Sequence, residues 1–220
     1  MWLKSFFKKL YYIIVELLYP KHCAVCNKHL LMFADIPLCS ECASAKYESK
    51  CIRDDKYSFD EAVCALKYEG EVRNVFHKYK FENIKYYAKA YAYFMDKATE
   101  DRKYMRDAVI CPVPLSSGRD RLYNQTAVIA KELAARWGTD NVEELLYKSR
   151  EINPLSQMKL PERRFYIEDA ISVNPECTVS GRDVLLIDDI FTSGTTTGEC
   201  AKILKAYGAR KVYVLCACYD

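Results

Sequence analysis

The sequence lacks the features that would place it in several common classes of protein. Its eleven cysteines in 220 residues fall below the roughly 8–10% of small disulfide-built secreted scaffolds, and an odd number cannot pair completely within one chain. The apolar run at residues 10–19 is interrupted by Glu16. It is too short to span a bilayer, and no small-x-small cleavage site follows it. We therefore expect a cytoplasmic protein with reduced thiols, whose closely spaced cysteines are metal ligands rather than disulfides.

The sequence also lacks a large excess of charge of either sign. The chain has 33 lysines and arginines against 30 acidic residues, a net charge of +3, which is too small to indicate a nucleic-acid binder by itself. All of this excess lies in residues 1–50, which hold seven lysines and four acids. Half of the residues are hydrophobic and 29% are charged, as in a globular protein. We expect a small N-terminal unit at residues 1–50 and a larger domain at residues 51–220.

An amphipathic helix is predicted at the N-terminus. Apolar side chains recur at helical spacing over residues 3–18, and Pro20 helps to end the pattern. Two interpretations of the apolar stripe stay open. It can dock on the protein's own core or cysteine-rich unit, or it can make a peripheral membrane contact, since basic amphipathic helices lie in lipid interfaces.

Strand and helix patterns alternate through the larger domain. Polar residues 150–165, with two prolines, predict a long loop. The alternation predicts an α/β fold whose parallel sheet has right-handed crossovers and is flanked by helices. Strands are predicted at 61–68, 107–115, 184–187 and 212–218, and helices at 71–79, around 87–94, at 129–137 before Gly138 and at 200–207 before Gly208.

The sharpest motif is VLLIDDIFTSGTT, residues 184–196. A buried parallel strand delivers Asp188 and Asp189 to its carboxyl end, where ligands bind in open α/β sheets. Two carboxylates there can accept hydrogen bonds from vicinal ribose hydroxyls and can hold Mg²⁺. The turn that follows exposes backbone N–H groups and hydroxyls at a helix N-terminus, which favours a phosphate. The residues of this turn are Thr192, Ser193, Gly194, Thr195 and Thr196.

This segment resembles the signature for phosphoribosyl pyrophosphate (PRPP) in type I phosphoribosyltransferases, although Phe191 stands where an aliphatic residue is more usual. The resemblance implies that Asp188 and Asp189 bind the ribose 2′- and 3′-hydroxyls of PRPP. It also implies that residues 192–196 hold the 5′-phosphate and that Mg²⁺ accompanies the pyrophosphate. The plainer alternative is that the acids end a strand and the turn starts a helix.

A second motif consists of two CxxC pairs, Cys23 with Cys26 and Cys39 with Cys42. Two such knuckles can complete a tetrahedral Zn²⁺ site with no open position, which indicates a structural metal. A redox dithiol is the alternative, and no βαβ pattern surrounds the pairs to favour it. The neighbouring His22 and His29 could replace a ligand.

Of the other cysteines, most are expected to pack in the core, although nucleophilic use of Cys111 is conceivable. His77 is expected at the surface.

The stretch PVPLSSGRDRLYNQ, residues 112–125, resembles ComF/GntX-like proteins, and the order of parts agrees along nearly the whole chain. The shared parts also include a Tyr79–Lys80–Phe81 element and a loop with Gln157 and Glu162. The usual glycine before Asn124 and Gln125 is absent. The resemblance implies a turn that meets the pyrophosphate of PRPP and a hood over the site. The turn would be Leu115, Ser116 and Ser117 with Arg119 or Arg121 nearby, and the hood would be residues 150–165 with Arg163 and Arg164 neutralising the leaving pyrophosphate.

For the two hood arginines, charge-balanced surface positions are the alternative. The resemblance implies a PRPP-dependent phosphoribosyltransferase involved in DNA uptake during natural competence, with catalysis resting on positioning and electrostatics by Asp188, Asp189, Arg163 and Arg164. Two other hypotheses are a nucleobase-salvage phosphoribosyltransferase and a non-catalytic competence factor that binds single-stranded DNA and partners of the competence machinery. In the last case Lys21, Lys28 and Tyr47 near the knuckles would contact the nucleic acid.

Overall fold

The computed structural model describes residue 13 and residues 20–30, 34–82, 84–114, 123–148 and 171–220. Several predicted features lie outside these residues: most of the N-terminal helix, the predicted pyrophosphate turn and the predicted hood. The site residues affected are Leu115, Ser116, Ser117, Arg119, Arg121, Arg163 and Arg164. The predictions that concern them stay predictions.

The fold centres on a five-stranded sheet. The strands of the described residues are β1 Lys50–Ile52, β2 Glu61–Lys67, β3 Val109–Pro112, β4 Leu146–Lys148, β5 Ile171–Val173, β6 Asp183–Phe191 and β7 Lys211–Tyr219. The sheet has the order β1-β2-β7-β6-β3. Its four neighbours β2, β7, β6 and β3 are parallel, and only β1 at one edge is antiparallel. A separate pair, β4 and β5, is antiparallel.

Helices cover both faces of this sheet. Those of the described residues are α1 Ser40–Ser44, α2 Gly70–Phe81, α3 Ala88–Ala98, α4 Lys103–Arg106, α5 Gln125–Trp137 and α6 Thr195–Ala206, with a 3₁₀ turn at Lys85–Tyr87. On one face, a core cluster joins the sheet to side chains of α2, α3 and α5, with Tyr79, Tyr91 and Leu133 fully buried. On the other face, Cys200 and Leu204 of α6 pack with β4 and β5. The protein is therefore a mixed α/β structure with a parallel-dominated sheet, as predicted.

The cysteine-rich segment packs on the side of the sheet that α2, α3 and α5 cover. Cys23 and Cys42 belong to the same buried cluster as α2 and α3. Tyr93 of α3 donates a hydrogen bond of 3.0 Å to the Ala43 carbonyl, and the rings of Tyr47 and Phe94 meet edge to face at 4.9 Å. These contacts hold the segment against α3.

The parallel strands agree with their predicted positions, with one informative difference. The predicted strand at 184–187 extends through both acids to Phe191, and Asp188 and Ile190 stay in register with Cys216 and Cys218 of β7. The acids therefore belong to the strand itself. Within the described ranges, no helix has the length and hydropathy needed to cross a bilayer.

Candidate functional site

The acid pair lies at the carboxyl end of β6, the strand between β7 and β3. Successive strand residues point to opposite faces. Asp189 faces α2, where it meets Lys80. Asp188 faces α6, which carries Cys200. Burial is the main cause that raises the pKa of the Cys200 thiol, and the charges of Cys111 and then Asp188 raise this pKa further. Both acids are partly exposed, whereas residues 184–187 are buried. Both acids therefore lie at the carboxyl end of the sheet with part of their surface in solvent.

Backbone hydrogen bonds fix the orientation of both carboxylates. The Asp189 N–H donates to Asp188 Oδ1 at 2.8 Å, and the Ile190 N–H donates to Asp189 Oδ1 at 2.6 Å. Each acid thus uses one oxygen to accept from the next residue of the chain. A carboxylate held in this way has a fixed orientation, and carboxylate oxygens are acceptors for hydroxyl groups.

The turn after β6 leads directly into α6. The first helical residue is Thr195, and Gly194, the residue before it, gives no side-chain hydrogen bond to cap the helix. Ser193 Oγ and Thr195 Oγ1 are 2.8 Å apart, and Thr197 is buried with its hydroxyl donating to the Gly194 carbonyl at 3.2 Å. Backbone N–H groups of a first helical turn attract anions. The arrangement can therefore bind a phosphate.

Gly194 is required by both its conformation and its surroundings. Its φ is +69°, a left-handed value that glycine adopts without steric cost. A Cβ atom at this position would lie 2.7 Å from Phe191 Cζ and 2.7 Å from Tyr57 Cε1. Tyr57 Oη also donates a hydrogen bond of 2.9 Å to the Ser193 carbonyl. Tyr57, from the loop between β1 and β2, therefore packs on the turn and is hydrogen-bonded to it. No pattern in the sequence indicates this contact.

Lys80 adds a cation to the acid pair. Its Nζ atom lies 2.7 Å from Asp189 Oδ2, and the two side chains are 17% and 15% exposed. Lys80 is the penultimate residue of α2. In the sequence Lys80 belongs to the Tyr79–Lys80–Phe81 element, and no local pattern indicates Asp189 as its partner, because the two residues are far apart in the chain.

The start of α5 lies beside this cation. Gln125 Nε2 donates to the Lys80 carbonyl at 3.0 Å, and Tyr79 Oη donates to the Gln125 carbonyl at 2.8 Å. Asn124 caps the helix by accepting from the Thr126 N–H at 3.1 Å. The Asn-Gln step noted in the sequence therefore joins the ends of α2 and α5 next to the acids.

The four predicted zinc ligands form one cluster. The sulfur atoms of Cys23, Cys26, Cys39 and Cys42 all lie within 4.8 Å of one another, and the Cys26 and Cys39 sulfurs are 3.7 Å apart. Tetrahedral Zn–S bonds of about 2.3 Å place sulfurs about 3.8 Å apart. The residues therefore fit a structural zinc ion.

Backbone geometry also suits thiolate ligands here. The Cys39 N–H points at Cys23 Sγ at 3.5 Å, and the Cys42 N–H points at Cys39 Sγ at 3.4 Å. The cluster contains neither histidine. His22 and His29 instead pair with each other, with ring centres 4.4 Å apart.

The remaining cysteines mostly pack in the core as expected, although Cys51 is exposed. Cys111 is fully buried, and burial raises the pKa of its thiol to about 12. A thiol with that pKa is protonated at neutral pH, and the thiolate is the nucleophilic form. The buried Cys111 thiol is therefore not suited to act as a nucleophile. His77 is exposed, as expected, and its ring is tilted against that of Phe81 with the ring centres 4.3 Å apart.

The fold and site define a mixed α/β protein with acids and a glycine turn at the carboxyl edge of its sheet, and with a four-cysteine cluster near its N-terminus. Comparison with known proteins confirms the resemblance to ComF-like proteins. Competence protein F of Haemophilus influenzae is 24% identical over 204 residues, which cover 87% of each chain. Competence protein ComFC of Streptococcus pneumoniae is 24% identical and covers 79% of this chain and 77% of its own.

Solved structures with similarity to this chain include phosphoribosyltransferases. One is the hypoxanthine phosphoribosyl transferase of Trypanosoma cruzi, with 12% identity, a TM-score of 0.40, and coverage of 64% of this chain and 75% of that one. A likeness of this size carries no conclusion about substrate. No protein-family model matches the chain.

Proposed function

We propose that this chain is a PRPP-binding, phosphoribosyltransferase-like protein that acts in DNA uptake during natural competence. One observation carries the proposal: a partly exposed acid pair at the end of a central parallel strand leads directly into a glycine turn at a helix N-terminus. The names of the two relatives support the link to competence. Among the described residues, the expected site comprises Asp188, Asp189 and residues 192–196.

In this proposal the protein works by positioning and charge. The ribose 2′- and 3′-hydroxyls donate hydrogen bonds to Asp188 and Asp189, while backbone N–H groups of the turn donate to the 5′-phosphate. Mg²⁺ on the pyrophosphate would neutralise charge as that group leaves C1. An oxocarbenium-like transition state needs little covalent help from side chains, so electrostatic stabilisation and exclusion of water carry the reaction. The predicted Arg163 and Arg164 of the hood would add to both.

Titration calorimetry with PRPP and Mg²⁺ tests the site. The double variant Asp188→Asn, Asp189→Asn removes two charged acceptors, and we expect PRPP affinity to fall at least about 100-fold. Asp183→Asn is the matched control, because Asp183 lies at the other end of the same strand and pairs with Arg210 at 2.7 Å. It should leave PRPP affinity unchanged. Binding that survives in the double variant would refute the proposed site.

A screen of nucleobase and amine acceptors for pyrophosphate release then tests transfer. Release that depends on one nucleobase would favour the salvage hypothesis. A transformation assay with the same double variant tests whether PRPP binding is needed for DNA uptake. Loss of transformation is expected, and normal transformation would separate the ligand site from that role.

Direct binding of single-stranded DNA is the second candidate function, carried by the basic cysteine-rich unit. Lys21 Nζ lies 4.8 Å from the centre of the Tyr86 ring, a cation beside an aromatic surface. Lys28 pairs with Glu41 at the exposed surface. We expect Lys21→Gln and Lys28→Gln both to weaken DNA binding and to reduce its dependence on salt concentration. Lys97→Gln serves as a surface control, and equal effects of all three variants would contradict this interface.

A further inference from the structure

We propose that Lys80 binds the diphosphate group of PRPP while it stays in contact with Asp189. This inference rests on the proposed function, because it assumes that PRPP places its ribose at Asp188 and Asp189. It adds a ligand-binding residue from a different element, since Lys80 lies in α2, whereas Asp188, Asp189 and residues 192–196 lie in β6 and the segment that follows it.

The position of the ammonium group is the first reason. Lys80 Nζ lies 2.7 Å from Asp189 Oδ2, and both side chains are more than four-fifths buried. A partly desolvated ion pair gives little net stability, because the loss of hydration offsets the attraction between the charges. Stability alone therefore does not explain a lysine at this point, whereas a role at the ligand site does.

The electrostatics of PRPP is the second reason. The ribose carbon that carries the diphosphate is bonded to the carbon that carries the 2′-hydroxyl. If Asp188 and Asp189 hold the ribose hydroxyls, their negative charges lie close to the diphosphate and repel it. A cation in contact with Asp189 offsets that repulsion. Lys80 is such a cation among the residues that the structure describes.

The donor geometry of lysine is the third reason. An ammonium group has three N–H donors, so Nζ can keep one on Asp189 and direct others at phosphate oxygens. The backbone of Lys80 is fixed, because Gln125 Nε2 donates to its carbonyl at 3.0 Å and Tyr79 Oη donates to the Gln125 carbonyl at 2.8 Å. Only the flexible side chain needs to adjust when the ligand enters.

The test compares two ligands that differ in the diphosphate. PRPP and ribose 5-phosphate share the ribose hydroxyls and the 5′-phosphate, and both are titrated with Mg²⁺. We expect Lys80→Gln to weaken PRPP binding about tenfold or more, the loss of one charge-assisted contact. Binding of ribose 5-phosphate should change less than about twofold. Lys80→Arg should restore most of the PRPP affinity.

Lys78→Gln is the matched control, because Lys78 lies in the same helix and contacts Asn27 of the cysteine-rich unit at 3.3 Å. It removes the same charge and should leave both affinities unchanged. Equal losses for both ligands with Lys80→Gln would overturn the proposal, since Lys80 would then only position Asp189. Unchanged PRPP binding would overturn it as well. Wild-type protein that binds neither ligand would instead refute the proposed function.

A measurement on the wild-type protein keeps the proposal testable if Lys80→Gln does not fold. Lysines are modified with an amine-reactive reagent and read out by mass spectrometry. PRPP with Mg²⁺ should protect Lys80 more than ribose 5-phosphate does. Equal protection by the two ligands would contradict a contact with the diphosphate.

Discussion

A methyl group added at Gly194 would enter the space between two aromatic rings that hold the proposed phosphate turn. The Cβ atom of Gly194→Ala would lie 2.7 Å from carbon atoms of both Phe191 and Tyr57. Neither ring is free to move away at low cost. Phe191 is 4% exposed, and Tyr57 stacks on Phe59 at 4.7 Å while its hydroxyl bonds to Ser193.

A second glycine separates the two costs of this substitution. Gly138 has the same φ of +69° as Gly194, but a Cβ there would meet no atom within 4 Å. Gly138→Ala therefore carries only the cost of the left-handed conformation, about 1–2 kcal/mol. Gly194→Ala carries that cost and an overpacking cost of about 1–3 kcal/mol. We expect the free energy of unfolding to fall about 1–3 kcal/mol further for Gly194→Ala than for Gly138→Ala.

Urea unfolding of both variants measures this difference, and PRPP titration shows its effect on the site. Gly194→Ala should also weaken PRPP binding, because the turn must shift to accept the methyl group, whereas Gly138→Ala should not. Equal losses of stability in the two variants would refute the argument that the rings close around Gly194. Normal PRPP binding by Gly194→Ala would refute the assignment of this turn to the phosphate.

Three further predictions follow from single contacts. Tyr57→Phe keeps the ring but removes the hydrogen bond to Ser193, so PRPP affinity measured by calorimetry should fall by about threefold to tenfold, with Tyr147→Phe, at an exposed position, as a control without effect. Burial raises the pKa of Glu61, but hydrogen bonds led by Tyr104 lower it to about 2. Glu61→Gln should therefore lose about 3 kcal/mol in urea unfolding above pH 5, and the difference from wild type should shrink between pH 4.5 and 2, whereas a constant difference would contradict the shift. Cys42→Ser should lower the zinc content from one ion per chain and increase proteolysis within residues 20–50, and full zinc content in this variant would contradict the four-cysteine site.

The sequence predicted the parts of the fold whose patterns are long and regular. The buried run before the acids and the apolar run of β7 both appear as parallel strands. The strands β4 and β5 were missed, because three-residue strands are too short to show a period. The extension of β6 through Asp188 and Asp189 was also missed, because pairing with β7 overrides the polar character of these residues.

The candidate site was predictable where its residues are neighbours in the chain. The acids, the glycine turn and the cysteine knuckles were all visible as local motifs. The contacts of Tyr57 with Ser193 and of Lys80 with Asp189 join distant segments. Only the packing of the loop between β1 and β2 on the turn, and of α2 on the sheet, brings these residues together.

A crystal structure of the protein with Mg²⁺ and an unreactive PRPP analogue tests the central claim most directly. We predict that the ribose hydroxyls contact the carboxylates of Asp188 and Asp189 and that the 5′-phosphate contacts the backbone of residues 192–196. An analogue bound elsewhere, with this edge of the sheet empty, would contradict the account.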